Sequence, residues 1–198
     1  MKLIMIRHGK TKGNVEGRYV GCTDEDILKS ERSRLQKKKL PQIDILYVSP
    51  MKRCVETAKI LYPGKAPLFV PDFRECDFGA FEYQNYKELN GNKDYQKFID
   101  TMGMSGFPGG ETRVQFQKRC CMAFEKILMG LKEKEKIAMV VHGGTIMAIL
   151  DAFSDPHQDY YGWQIGNGEG LEMDVCQKQD KICLTSIHKI ETGGHGIE

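Results

Sequence analysis

No apolar run in this chain approaches the roughly 20 residues that a membrane-spanning helix requires. The opening stretch, Met1 to Ile6, is too short for the core of a signal peptide and runs directly into polar residues, so a cytoplasmic protein is expected. Net charge is scarce: 29 Lys and Arg stand against 27 Asp and Glu, leaving +2. That balance gives no argument for nucleic acid or a membrane surface as a partner. The seven cysteines, at positions 22, 54, 76, 120, 121, 176 and 183, show no C-x-x-C spacing. Neither a zinc site nor a disulfide framework is expected, and the thiols read as reduced, small core residues. Asp and Glu form no cluster with metal-ligand spacing, so no metal and no cofactor is expected. Internal repeats and dividing linkers are absent as well.

What remains is the composition of an ordinary soluble protein: 198 residues, 40% hydrophobic and 28% charged. One domain over 1–198 is expected, with 191–198 as a loose Gly-rich tail. Leu3-Ile4-Met5-Ile6 reads as a buried strand that ends abruptly in Arg7-His8-Gly9. Far downstream the pattern recurs: Ile137-Ala138-Met139-Val140-Val141 runs into His142-Gly143-Gly144-Thr145. One histidine at a strand end is commonly structural, but two strand–His–Gly units are hard to explain by packing alone.

Between them, residues 9–26 read as a long loop and Ser30 to Leu40 as a helix bearing Lys37-Lys38-Lys39 in its last turn. Residues 43–48 read as a strand. Ser49-Pro50 reads as the N-cap and first position of a helix to Leu61, with Val55, Ala58 and Leu61 on its apolar stripe. Arg53 in that first turn opposes the helix dipole unless an anion lies in front of it. Leu68-Phe69-Val70 is a short strand. Residues 80–108 read as two short helices about a polar turn at 90–92. Glu111-Thr112 opens the longest helix, with Val114, Cys121, Phe124, Leu128 and Leu131 on its buried face, and 132–136 reads as a solvated connection. Helix 144–153 and strands near 171–177 and 181–187, turning at 178–180, complete the chain. Gly166-Asn167-Gly168-Glu169-Gly170 neither follows a strand nor opens a helix, so it reads as a turn rather than a dinucleotide loop.

Strand and helix alternation indicates an α/β sandwich, three layers deep, about a mostly parallel sheet. Arg7, His8, Arg53 and His142 then all fall at strand exits or helix starts on one side of that sheet. Two guanidiniums, two imidazoles and two helix N-termini match a phosphoryl group, which carries about −2 charge on three acceptor oxygens.

The blocks Arg7-His8-Gly9-x-Thr11-x-x-Asn14, Ser49-Pro50-x-x-Arg53-x-x-x-Thr57-Ala58, Glu75 ahead of Phe78-Gly79, and His142-Gly143-Gly144 resemble, in order, the histidine phosphatase (phosphoglycerate mutase-like) superfamily. The resemblance implies that His8 is the nucleophile and is phosphorylated. Arg7, Arg53 and His142 would grip the phosphoryl oxygens, and Glu75 would serve as general acid and base. Thr11, Asn14 and the Gly143 amide would add phosphate contacts. The short, weakly basic stretch between Glu75 and Glu111, and Phe107-Pro108-Gly109-Gly110-Glu111-Thr112 with Arg119, resemble the phosphatase branch near the α-ribazole-5′-phosphate phosphatases of cobalamin assembly. A metal-independent hydrolase of a small phosphorylated metabolite is therefore expected. A phosphoglycerate mutase and a non-catalytic phosphate-binding adaptor stand as alternatives. Tyr83 stands where the family often has Gly and is expected to narrow the pocket mouth. The stretch 28–35 lacks the family's usual Gly and Ala. Glu111 is expected to begin and stabilise its helix, and nothing in the sequence sets the oligomeric state.

Overall fold

The computed structural model describes residues 1–131, 135–178 and 181–190. The readings made above for 132–134, for the turn at 179–180 and for the 191–198 tail lie outside the described residues. Six strands form one sheet: β1 (Lys2–Arg7), β2 (Ile45–Val48), β3 (Pro67–Phe69), β4 (Lys136–Val141), β5 (Gly170–Lys178) and β6 (Lys181–Lys189), in the order β3-β2-β4-β1-β5-β6. β1, β2, β3 and β4 pair in parallel, while β5 runs antiparallel to both β1 and β6. Around them lie α1 (Lys12–Val15), α2 (Lys29–Gln36), α3 (Lys52–Leu61), α4 (Lys93–Asp100), α5 (Arg113–Met129) and α6 (Gly143–Phe153).

Strand side chains alternate between faces, and here both faces are covered. Leu3 and Met5 of β1, with Ile137, Met139 and Val141 of β4, pack against Phe116 and Phe124 of α5 and Ile146 and Ile149 of α6. Ile4, Ile6, Ala138 and Val140 face the other way, onto Cys54 and Ala58 of α3. This is why β1 and β4 are continuous apolar runs. It is also why both end in one plane, with Arg7 opposite Val141 and the ladder continued by the His8 amide donating to the Val141 carbonyl at 3.0 Å.

Several local readings are corrected. α3 starts two residues later than the Ser-Pro pair suggests; its N-cap is Met51, and Ser49 is released to face His142. The first of the two helices read in 80–108 is only a 3-10 turn at Gly79–Phe81. α2 ends at Gln36, leaving Lys38 and Lys39 beyond it. On α5 the buried face is Phe116, Cys120, Ala123 and Phe124, whereas Val114 is 63% exposed. Apolar residues stand on its exposed side as well, Met122 and Met129 among them, so no single stripe marks the buried face.

Candidate active site

His8 is 3% exposed, and its Nδ1 lies 2.8 Å from the carbonyl oxygen of Gly9. A carbonyl only accepts, so Nδ1 carries the proton and Nε2 keeps its lone pair. Burial, reinforced by the nearby Arg53 cation, holds the His8 pKa well below its ordinary value, so the ring is neutral near pH 7. The turn after His8 is braced from behind. The Gly9 amide donates to Thr57 Oγ1 at 2.9 Å, and the Gly168 amide is shared between the Arg7 and His8 carbonyls at 2.9 and 3.0 Å. Asn167 Nδ2 donates to the His8 carbonyl at 3.2 Å and to Asn14 Oδ1 at 3.1 Å. The segment 166–169 is thus a turn, as read, with Gly170 already in β5, and the turn buttresses the end of β1.

His142 is wholly buried as the N-cap of α6, its ring centroid 5.2 Å from that of His8. Arg53 Nε donates to His142 Nδ1 at 3.3 Å, which places the His142 proton on Nε2, facing Ser49 Oγ at 2.8 Å. Burial, with Arg53 and His8 beside it, keeps this imidazole neutral too. Arg53, also wholly buried, turns Nη1 to the Thr23 carbonyl and Nη2 to those of Val20 and Gly21. Arg7 donates Nη1 to the Ile165 carbonyl at 2.7 Å, while its buried Nε has no protein partner. A Cβ at Gly143 would meet that Nε at 3.2 Å, which sets Arg7 against the start of α6.

Glu75 lies on an irregular stretch between the 3-10 turns Pro71–Phe73 and Gly79–Phe81. Its Oε1 accepts from the Cys76 amide at 3.0 Å and its Oε2 from the Gly144 amide at 3.2 Å. The structure thus brings Arg7, His8, Arg53, Glu75, His142 and Gly143 together at the carboxyl ends of β1 and β4. Thr11 and Asn14 are close by but satisfied mainly by each other: they form the capping box of α1, and Asn14 also receives Asn167.

A cavity of about 390 Å³ opens beside this group, bounded by Arg7, Glu75 and Gly144 at its inner end. Its walls are largely aromatic, with Phe78, Phe98, Phe107 and Tyr161 among them. Two further arginines reach it, and both are compensated. Arg18 is paired with Glu16 and with Glu88, the latter at 2.7 Å. Arg113 lies 4.1 Å over the Tyr160 ring and 3.5 Å from Asp151. Tyr83 does not narrow the mouth directly. At φ 60° it donates its hydroxyl to Glu25 and carries Arg18 over its ring at 5.1 Å.

Sequence reasoning missed Ser49, Asn167 and Glu82. The last accepts from the Gly21 and Thr23 amides and holds the loop that receives Arg53. Only Ser49 carried a signal, inside the Ser-Pro-x-x-Arg block.

A mixed α/β sheet with two imidazoles and two guanidiniums at its carboxyl edge defines a phosphoryl-handling protein. Residues 3–183 match the histidine phosphatase superfamily (branch 1). A probable phosphatase of Schizosaccharomyces pombe is 28% identical over 99% of this chain and 89% of its own. A metal-independent phosphoserine phosphatase of Arabidopsis thaliana is 30% identical over 75% of this chain and 66% of its own. The crystal structure of a putative α-ribazole-5′-phosphate phosphatase from Escherichia coli superposes with a TM-score of 0.82 at 19% identity, covering 93% of this chain and 94% of that one, and shows the shared fold. The chain belongs to the histidine phosphatase superfamily, and it is a phosphoric monoester hydrolase.

Proposed function

We propose that the protein hydrolyses a small phosphorylated metabolite without a metal ion, through a phosphohistidine on His8. The observation that carries this is the fixed tautomer: Nδ1 is held on Gly9, so a neutral Nε2 keeps a lone pair for attack, on a ring set edge-on to that of His142. Nε2 attacks phosphorus as the ester oxygen departs, and Glu75, as general acid, gives a proton to that oxygen. Glu75, now a carboxylate, takes a proton from water; the hydroxide attacks phosphorus, the P–N bond breaks, and inorganic phosphate leaves. Charge spreading over the equatorial oxygens is met by protein donors, the Arg7 guanidinium and the Gly143 amide at the start of α6 foremost. Arg53 and His142 supply field and shape, their donors being shared with the loop at 20–23 and with Ser49.

The cavity bears on the leaving alcohol. Two of its cations, Arg18 and Arg113, are already balanced by Glu88 and Asp151, and its walls are largely aromatic. That suits an alcohol that carries a flat aromatic base, such as α-ribazole, better than the carboxylate of phosphoserine or phosphoglycerate. Purified protein should release phosphate from α-ribazole-5′-phosphate with a higher kcat/KM than from phosphoserine. His8→Ala should abolish release, and EDTA should leave it unchanged. Isomerisation of 3-phosphoglycerate outpacing phosphate release would favour the mutase alternative, and full activity in His8→Ala would end the proposal.

A further inference from the structure

Glu111 does not begin its helix: the N-cap of α5 is Thr112, and the Glu111 carboxylate turns the other way. It forms a fork-on-fork pair with Arg119, Nε to Oε1 at 2.6 Å and Nη2 to Oε2 at 2.8 Å. The side-chain hydrogen bonds that the pair makes to backbone all go to the stretch that carries Glu75. Arg119 Nη1 donates to the carbonyls of Asp72 and Arg74 at 2.7 and 2.9 Å, and Nη2 to that of Glu75 at 2.9 Å. The Asp77 amide donates to Glu111 Oε2, and the Glu111 amide donates back to the Asp77 carbonyl, both at 2.9 Å. Glycine permits this proximity: a Cβ at Gly110 would stand 2.3 Å from the Asp77 carbonyl oxygen. One ion pair therefore fastens the peptide units on both sides of Glu75, on a stretch with neither helix nor strand to hold it.

We infer that Arg119 and Glu111 are positioning residues for the general acid, setting where the Glu75 carboxyl stands relative to the departing oxygen. The inference rests on the reading of Glu75 given above. Only a guanidinium has enough donors in a rigid fork to hold a carboxylate and three carbonyls at once; a lysine ammonium has three donors on a single atom.

The readout is leaving-group dependence, because a displaced acid matters for a poor leaving group and hardly at all for a good one. Arg119→Lys, Glu111→Gln and Glu75→Gln are compared by kcat/KM on an alkyl phosphate and on 4-nitrophenyl phosphate, with thermal unfolding of each recorded. Glu75→Gln should lose on the order of 10²-fold or more on the alkyl ester and little on the aryl ester. Arg119→Lys should show the same selectivity at about 10- to 100-fold, carried in kcat rather than KM. Glu111→Gln keeps an oxygen for the Asp77 amide and gives the same signature if Arg119→Lys fails to fold. Equal losses on both esters in the folded clamp variants, beside a selective Glu75→Gln, would overturn the clamp alone. An unselective Glu75→Gln would overturn the assignment of the acid, and the clamp with it.

Discussion

A Cβ at position 144 would stand 2.3 Å from Glu75 Oε1 and 3.1 Å from two ring carbons of Phe116. Gly144→Ala should therefore push the acid off its amide contact and cost about 10²-fold in kcat/KM on an alkyl phosphate. Far-UV dichroism should be unchanged, because Ala suits the second position of a helix. Near-normal turnover in a folded Gly144→Ala protein would mean that Glu75 need not stand where it does. The two imidazoles set a pH dependence of stability. Both have folded pKa values below the ordinary 6.5, so as pH falls through about 6.5 the unfolded chain takes up protons that the folded one refuses. Stability is full above that pH and falls below it, by up to about 1.4 kcal/mol per pH unit for each ring. Urea midpoints at pH 7 and 5.5 check this: the wild type should lose stability between them and His142→Gln should lose less, and equal midpoints in the wild type would contradict it.

Among the elements, α5 carries a complete capping box in which Thr112 Oγ1 accepts from the Gln115 amide and the Gln115 side chain accepts from the Thr112 amide. Thr112→Ala should cost about 1 kcal/mol, a drop of roughly 2–4 °C in Tm for a chain of this size. No change in a calorimetric scan would show that tertiary packing alone sets this helix start. The start of this helix was legible in the sequence to within a residue or two, whereas the residue that caps it and the helix's inward face were not. Val114, Met122 and Met129 are apolar yet exposed, so periodicity offered several stripes and only packing on β4 and α6 selects one. Ser49-Pro50 misled for a related reason. Local chemistry favoured an N-cap, and the demand of buried His142 for a partner took Ser49 instead.

For the molecule as a whole, the sheet's centre was written plainly in β1 and β4, because strands covered on both faces must be apolar throughout. The strand order was not written. Nothing in residues 1–8 states that β4 will lie beside β1 in register, yet that adjacency is what sets the His8 and His142 rings 5.2 Å apart. The chemical blocks were legible because each role demands a particular residue type. The braces behind them, Asn167, Glu82 and the Glu111–Arg119 pair, were hidden, because a hydrogen bond to backbone can come from many residues at many positions. In the proposed mechanism these parts converge to make one imidazole nitrogen the nucleophile. The most direct test is to quench the enzyme in alkali during turnover and map the bound phosphoryl group by mass spectrometry. An acid-labile, alkali-stable phosphoramidate should be found on His8 and be absent from His8→Ala; a phosphoryl group on any other residue, or steady turnover with none on His8, would exclude His8 as the nucleophile.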